Sequence, residues 1–171
     1  MARCVYDHLV AAGHDVVHHE MDRRRKAYFP KPRYTEAERA RAYSLFIDEA
    51  VTMAAQGKVV LMDASAHRAV IRQAARKKIG RFAEIMIRCS LETAMAREKA
   101  RPEGLVIANM YEKALIRQKT GEQFEGLGDV IGVDVPFEEG DAELIVDNTN
   151  LTSQQTCTMV TTFLDTWLDN A

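Results

Sequence analysis

The residues best suited to chemistry follow the first predicted strand. A short apolar segment ends near Glu20 and runs into Met21-Asp22-Arg23-Arg24-Arg25-Lys26, one carboxylate followed by four cations. Open α/β sheets bind ligands just beyond the carboxyl ends of their strands. If a helix begins here, Asp22 and Arg25 lie one turn apart on one face, where the carboxylate can orient a hydroxyl group and the guanidinium can hold an anion. The alternative is a charged first turn that faces solvent.

Two further charged residues could extend this site. Arg39 lies early in the next predicted helix and could reach the same ligand, although arginines on exposed helix faces are commonly solvated. Asp63 follows the apolar run Val59-Val60-Leu61-Met62 and stands where phosphate-loop NTPases carry the acid that organises Mg²⁺. An Asp after a strand also serves as a cap for the next helix, so both interpretations of Asp63 stay open.

A second group of basic residues lies further along the chain. They close one predicted helix and recur at roughly helical spacing in the next: Arg97, Lys99, Arg101, Lys113, Arg117 and Lys119. Lids rich in Lys and Arg stabilise a transferring phosphoryl group because charge develops on its peripheral oxygens. Cations in the last turn of a helix also complement its dipole, so a structural role for each of them is the alternative.

Apolar runs alternate with helical patterns, which is typical of a parallel sheet covered by helices. Strands are predicted at 14–18, 58–62, 82–88 and 143–147, and helices at 2–12, 35–56, 68–79, from 91 onward and at 152–168. The run at 58–62 has no polar alternation and should be buried on both faces.

Several helix ends carry recognisable signals. Thr35 and Thr152 each open a capping box, and Gly13 and Gly57 are expected to close the preceding helices. An apolar face on the long helix, expected to pack on the sheet, comprises Tyr43, Phe46, Ile47, Ala50 and Met53. The segments 28–34 and 124–140 are predicted loops, where sites are often built.

The composition fits one soluble domain over residues 1–171. The chain is 47% hydrophobic and 28% charged, and its net charge of −2 gives no global attraction to nucleic acid or to an anionic membrane. The sequence has no apolar stretch long enough to span a bilayer and no signal-peptide pattern at Met1, so we expect a cytoplasmic protein that binds a small molecule.

Cysteine and histidine spacing argues against a metal site. Cys4, Cys89 and Cys157 are far apart and have no C-x-x-C spacing, so we expect three reduced thiols and neither a disulfide framework nor a thiolate site. His18 and His19 are neighbours in a predicted strand and should point to opposite faces, which disfavours zinc.

Taken in order, several segments resemble motifs of the adenylyl-sulfate kinases, a family with the phosphate-loop kinase fold. The family's Asp-Gly-Asp-x-x-Arg motif is similar to residues 20–25, which keep its second Asp and its Arg as Asp22 and Arg25. The other similar segments are 34–39, 65–68, 90–98, 103–105, 110–114, 124–126 and 132–138. The similarity therefore covers essentially the whole chain.

The resemblance implies a fold and a reaction. The fold is a single three-layer α/β domain of the P-loop NTPase kinase type, with a parallel sheet and a lid at about 98–140. The reaction is transfer of the γ-phosphoryl group of ATP to the 3′-hydroxyl of adenylyl sulfate, with Mg²⁺, in sulfate activation. Carried over by position, Asp22 engages the accepting hydroxyl, and Arg25 and Arg39 bind the phosphosulfate. The remaining positions are Lys113 and Phe124 for substrate beneath the lid and Arg97 for the ATP side.

The sequence also departs from the family pattern. Glu20 and Ala42 replace an Asp and an Asn, and the Ser-Pro-x-Arg segment is altered at 65–68, so another small hydroxyl compound remains a second candidate acceptor. The family's Gly-x-x-Gly-x-Gly-Lys-Ser/Thr loop, which cradles phosphates, would end just before Met1.

A strand that is normally central in the sheet would precede that loop, so we expect a gap, which favours pairing with another chain in a homodimer. The alternatives are a start codon assigned too far downstream, a truncation with unchanged chemistry, or a non-catalytic nucleotide-binding remnant.

Overall fold

The computed structural model describes residues 1–32, 35–101 and 108–170. The helices in these ranges are α1 (Ala2–Ala11), α2 (Met21–Tyr28), α3 (Glu36–Ala55), α4 (Ala69–Lys78), α5 (Leu91–Lys99), α6 (Met110–Thr120) and α7 (Ser153–Asp169). The strands are β1 (Val16–Glu20), β2 (Val59–Asp63), β3 (Ile85–Arg88) and β4 (Leu144–Asp147). None of the helices in the described ranges combines the length and apolarity needed to cross a bilayer.

The strands form two parallel pairs. β1 pairs with β2 in a register that runs from Val16 opposite Val59 to Glu20 opposite Asp63. β3 pairs with β4 in the same way, beginning with Ile85 opposite Leu144. Parallel pairing with intervening helices confirms the predicted α/β class.

One apolar cluster lies against both strand pairs. Its buried residues come from α1, β4 and α7, and the strand residues packed against it include Val16, Val59, Ile85 and Leu144. The two pairs are therefore halves of one layer beneath α1 and α7. Within the described residues no strand joins the halves, an arrangement consistent with the predicted gap.

The opposite face is covered by α2, α3 and α4. The buried residues Met21, Ala42, Tyr43 and Phe46 form a second cluster, against which Met62 and Ile71 pack. Successive strand residues point to opposite faces, so β2 presents Leu61 to the first cluster and Met62 to the second. The result is a three-layer α/β arrangement, and the predicted apolar face of α3 packs on the sheet.

The burial predicted for the strand at 58–62 is wrong in degree. Every residue from Val59 to Met62 is only half-buried, and Asp63 is exposed. The reason is that β2 pairs on one edge with β1, while no described strand pairs with its other edge. The residue pattern was that of an interior strand, but the neighbour that would complete its burial is missing from the described residues.

Helix ends explain where β1 begins. Gly13 takes a left-handed φ of +89°, and the N–H groups of Gly13 and His14 donate to the carbonyls of Val10 and Leu9, the paired bonds of a Schellman cap. Because the N–H of His14 takes part in the helix cap, the strand starts at Val16 instead of the predicted residue 14. The strand predicted from 82 begins only at Ile85, and the guanidinium of Arg76 lies over the Phe82 ring in the segment that precedes it.

The cysteine prediction is wrong for two of the three thiols. Cys4 in α1 and Cys157 in α7 form a disulfide across a sequence separation of 153 residues. The two helices pack side by side on the first apolar cluster, which brings together cysteines that local spacing could not connect. Cys89 is a free, half-buried thiol.

Candidate acceptor site

The carboxyl ends of β1 and β2 carry two acids held by one histidine. Glu20 and Asp63 are register partners at the last position of the two strands. The His18 Nε2 atom lies 3.1 Å from Asp63 Oδ2, and its Nδ1 atom lies 3.4 Å from Glu20 Oε1. The imidazole of His18 therefore lies between the two carboxylates.

Helix α2 starts directly at this edge and carries the predicted Asp22 and Arg25. Glu20 is the last residue of β1 and the N-cap of α2, so no linker separates the strand end from the charged turn. Arg25 is buried, with 7% of its surface exposed, whereas Asp22 is exposed. A buried guanidinium interacts more strongly with an anion than an exposed one does because water screens it less.

Tyr43 is buried on α3, and three of the predicted charged residues influence its pKa. Burial raises the pKa of Tyr43, Arg25 and Arg39 act to lower it, and Asp22 acts to raise it. These three groups come from α2 and α3, yet each acts on the same phenol oxygen. Three of the residues predicted from the sequence therefore influence the pKa of Tyr43, and their roles in binding stay predictions.

The loop after β2 borders this cluster. Ala66 lies in the left-handed region at φ +38°, a strained conformation for a residue with a Cβ. Its N–H donates to the Tyr43 hydroxyl at 2.8 Å, and its carbonyl accepts from Arg72 Nη1 at 2.8 Å. Two buried side chains therefore hold the backbone on both sides of the Ala66 Cα.

His67 follows in the same loop, and the predicted cations also affect its pKa. Its pKa is lowered by burial first and by the charge of Arg39 next, with smaller contributions of the same sign from Arg68 and Arg72 and an opposing one from Glu138. The imidazole is therefore disposed to be neutral near pH 7.

A polar network around Glu49 fixes α2 against α3. Arg24 donates to both Glu49 oxygens, and the Tyr28 hydroxyl donates at 2.5 Å. Burial acts to raise the pKa of Glu49, but hydrogen bonds from Arg24 and Tyr28 outweigh it and the net shift is downward. Burial and the bond to Glu49 raise the pKa of Tyr28 to about 12. The bidentate pair holds α2 in one orientation, which orients Asp22 and Arg25.

His19 secures the same junction from the strand. Its Nε2 lies 3.0 Å from the Phe46 carbonyl, and its ring stacks on Phe46 with 4.0 Å between centroids. Burial lowers the pKa of His19, and the Phe46 carbonyl partly opposes that effect. His18 and His19 point to opposite faces, as predicted.

Lys113 and Phe124, predicted to lie in a lid, belong to a separate part of the structure. Phe124 packs against a small core whose buried residues are Ala114, Leu127 and Val130, and Lys113 is half-buried on α6. All members of this core lie between residues 110 and 133. Phe124 therefore belongs to this small core and Lys113 to the helix that forms part of it, while their assignment to a lid stays a prediction. The similar segment at 103–105 falls outside the described residues.

Arg97 binds the loop after β4. Its guanidinium donates to Asn148 Oδ1 and to the Asn148 carbonyl, each at 2.8 Å, and to the Leu151 carbonyl at 3.2 Å. In this structure Arg97 holds that loop in place. Its predicted contact with ATP stays a prediction.

The described residues contain no group of three or more His, Cys, Asp and Glu side chains arranged to hold a metal ion. Asp63 is exposed at the sheet edge and faces His18. Mg²⁺ typically takes one or two carboxylates and completes its shell with phosphates and water, so Asp63 could serve as one ligand. Its role in binding Mg²⁺ stays a prediction.

Comparison with known proteins identifies relatives of the chain. No protein-family model matches it. A probable adenylyl-sulfate kinase of Archaeoglobus fulgidus is 28% identical over 148 residues, which cover 86% of this chain and 85% of that protein. The chain is a homologue of the adenylyl-sulfate kinases.

A solved structure supports the fold of this adenylyl-sulfate kinase homologue. The APS kinase CysC of Mycobacterium tuberculosis, in complex with AMPPNP and APS, matches with a TM-score of 0.72 and 22% identity. The match covers 96% of this chain and 88% of that one. At this identity the match establishes the α/β fold.

Three residues that support the candidate site of this chain are not recognisable from the sequence alone. Periodicity identifies Tyr43 only as an apolar position of α3, because it reflects the burial of the ring and not the hydrogen bond of the hydroxyl group. Arg72 resembled any cation on an amphipathic helix, and Glu49 any acid on the polar side of α3. The signal available for Arg72 was its place on the same helix face as Ala75, a face that proves to be buried.

Proposed function

We propose that this chain is a small-molecule kinase of the adenylyl-sulfate kinase type, which transfers the γ-phosphoryl group of ATP to the 3′-hydroxyl of adenylyl sulfate in sulfate activation. One observation carries the proposal. Helix α2 begins directly at the carboxyl end of β1, where Glu20 lies opposite Asp63 of β2, and it carries the buried Arg25 one turn after the exposed Asp22. The name of the Archaeoglobus relative supports the choice of acceptor.

In this proposal the two arginines bind the anionic part of the acceptor. Adenylyl sulfate carries a phosphate joined to a sulfate, and guanidinium groups bind such oxygens through charge-assisted hydrogen bonds. Arg25 contributes from a buried position on α2, while Arg39 contributes from the first turn of α3. Because Arg25 is shielded from water, its loss should cost more than the loss of an exposed cation.

Asp22 is assigned to the accepting hydroxyl. It stands one turn before Arg25 on α2 and is exposed, so a ligand bound to the arginine can present a hydroxyl to the carboxylate. A carboxylate within hydrogen-bond reach can orient that hydroxyl and accept its proton as the oxygen attacks phosphorus. Lys113 and Phe124 would contact the substrate from the lid, and Arg97 would lie on the ATP side.

The donor side requires groups that residues 1–171 do not supply by themselves. ATP provides the phosphoryl group, and a Gly-rich Lys-Ser/Thr loop is what cradles its phosphates in this fold. No such motif occurs in the printed sequence. The described residues therefore fit the acceptor and do not form a triphosphate cradle, and the proposal assigns them the acceptor steps alone.

An assay of product formation tests the proposal. The protein, joined ahead of Met1 to a strand and a Gly-rich Lys-Ser/Thr loop of this fold, is incubated with ATP, Mg²⁺ and adenylyl sulfate, and 3′-phosphoadenylyl sulfate is quantified by chromatography. Asp22→Asn is the active-site variant, and Asp48→Asn, at an exposed position on α3, is the matched control. Product formation that Asp22→Asn abolishes and Asp48→Asn preserves is the expected result.

The same assay separates the competing functions. Phosphorylation of another alcohol, with adenylyl sulfate inert, would replace the acceptor with another small hydroxyl compound. Saturable binding of adenylyl sulfate with no product from any acceptor would instead favour the non-catalytic binding protein. Failure to bind adenylyl sulfate or to phosphorylate any acceptor would refute the kinase proposal. A homodimer and a cytoplasmic location stay predictions.

A further inference from the structure

A buried arginine outside the proposed acceptor contacts links three parts of the chain. Arg72, in α4, is 7% exposed. Its Nη1 donates to the Ala66 carbonyl at 2.8 Å, its Nη2 donates to the Glu138 carbonyl at 2.6 Å, and its Nε forms an ion pair of 2.7 Å with Glu84. The guanidinium also lies 4.7 Å from the centroid of the Phe137 ring. One side chain thus joins the loop after β2, the end of the lid region and the residue before β3.

The end of the lid region meets the loop after β2 through further bonds. The Glu138 N–H donates to the His67 carbonyl at 2.8 Å. The Glu138 carboxylate accepts from the Ala69 N–H at 2.7 Å and so caps the start of α4. The backbone and side chain of Glu138 are therefore both committed to the segment that contains Ala66 and His67.

Gly140 leaves the space that the arginine occupies. A Cβ atom built at Gly140 would lie 2.8 Å from Arg72 Nη2, closer than carbon and nitrogen atoms can approach without one of them moving. The guanidinium cannot move without lengthening its bonds to the Ala66 and Glu138 carbonyls. Gly80 is the contrasting case, because nothing lies within 4 Å of a Cβ built there.

We propose that Arg72 is a positioning residue that couples the end of the lid to the acceptor site, with Gly140 kept free of a side chain to make room for it. Through the Ala66 carbonyl, Arg72 holds the strained residue whose N–H donates to Tyr43, and Tyr43 packs with Met21 at the start of the helix that carries Asp22 and Arg25. Displacement of residues 137–140 would therefore be transmitted to the loop that carries His67. The functional part of this inference rests on the proposed binding of adenylyl sulfate.

The test compares Gly140→Ala with Gly80→Ala. Gly140→Ala pushes on Arg72 while keeping its charge and its partner Glu84, so it avoids leaving a buried acid unpaired. Amide hydrogen exchange is measured at Ala66 and Glu138, together with the melting temperature and the dissociation constant for adenylyl sulfate. Arg72→Met combined with Glu84→Gln is the second variant, because it removes the clamp without stranding a charge.

The expected result is loss of protection at both amides in Gly140→Ala and in the double variant, by about tenfold for one weakened hydrogen bond. The dissociation constant should rise by a similar factor, and the melting temperature of Gly140→Ala should fall below that of Gly80→Ala, because weaker bonds in the folded state lower global stability as well. A merely structural role would lower the melting temperature and leave the affinity of the folded protein unchanged.

The outcomes separate this inference from the proposed function. Unchanged protection at Ala66 and Glu138 in both variants would overturn the coupling. Lost protection with unchanged affinity would overturn its link to the acceptor site. If the unaltered protein does not bind adenylyl sulfate, the proposed ligand is wrong, and the coupling is then decided by the exchange data alone.

Discussion

Tyr43→Phe probes the support of the acceptor site with the smallest change. The substitution keeps the ring, which packs with Met21 and Phe46, and removes only the hydroxyl oxygen that accepts from the Ala66 N–H at 2.8 Å. That N–H would lose its acceptor at a partly buried position. Ala66 would at the same time lose one of the two bonds that hold it in the left-handed region.

The magnitude follows from those two losses. A hydrogen bond contributes on the order of 1 kcal/mol, and leaving a buried donor unsatisfied costs about 1–3 kcal/mol. Partial access of water to this loop favours the lower half of that range, so we expect the free energy of unfolding to fall by about 1–2 kcal/mol. For a chain of this size that corresponds to a loss of roughly 2–8 °C in melting temperature.

Urea denaturation measures this change, and an unaltered slope with denaturant would show that the unfolded surface is the same. Tyr6→Phe on α1 is the control, because it removes a phenol oxygen while the ring keeps its contact with Arg3. Affinity for adenylyl sulfate is measured on the same samples. Equal stability and equal affinity for Tyr43→Phe and the unaltered protein would refute the idea that this hydroxyl supports the site.

Two further predictions concern buried groups. Because burial lowers the pKa of His19, below pH 6.5 the unfolded chain binds a proton that the folded chain resists, so stability should fall as the pH drops from about 6.5 through the lowered value. In His19→Gln, denaturation curves from pH 7.5 to 5 should show a shallower loss, and identical slopes would exclude His19 as the cause. Reduction of the Cys4–Cys157 disulfide, which spans 153 residues, should cost about 5 kcal/mol in the chain-entropy limit and less if strain is released. Cys4→Ser should show the same loss without reductant, and no change with reductant in the unaltered protein would contradict the pairing.

The parts of the fold that sequence predicted are those fixed by local signals. The Thr152 capping box and the Gly13 cap involve residues only a few positions apart, so the sequence contains all the information needed to place those helix ends. The spacing of Asp22 and Arg25 on one turn was predictable for the same reason. The α/β class followed from the order of such elements.

The parts that sequence did not predict depend on contacts between distant segments. The Cys4–Cys157 bond exists because α1 and α7 pack on one apolar cluster, which no local spacing encodes. The half-burial of β2 reflects a strand edge without a described partner, a property of the sheet and not of the Val59–Met62 run. The role of Arg72 likewise arises from carbonyl groups at residues 66 and 138, which meet only in the folded chain.

Calorimetric titration with adenylyl sulfate tests the central claim most directly, because it measures the acceptor site without requiring phosphoryl transfer. The decisive comparison is Arg25→Ala with Arg23→Ala, since both lie on α2 but the Arg23 side chain is 81% exposed. We predict saturable binding of one ligand per chain, weakened by about 1.5–3 kcal/mol in Arg25→Ala, or roughly 10- to 150-fold, and unchanged in Arg23→Ala. Equal affinity for the unaltered protein and a correctly folded Arg25→Ala variant would contradict the proposed acceptor site.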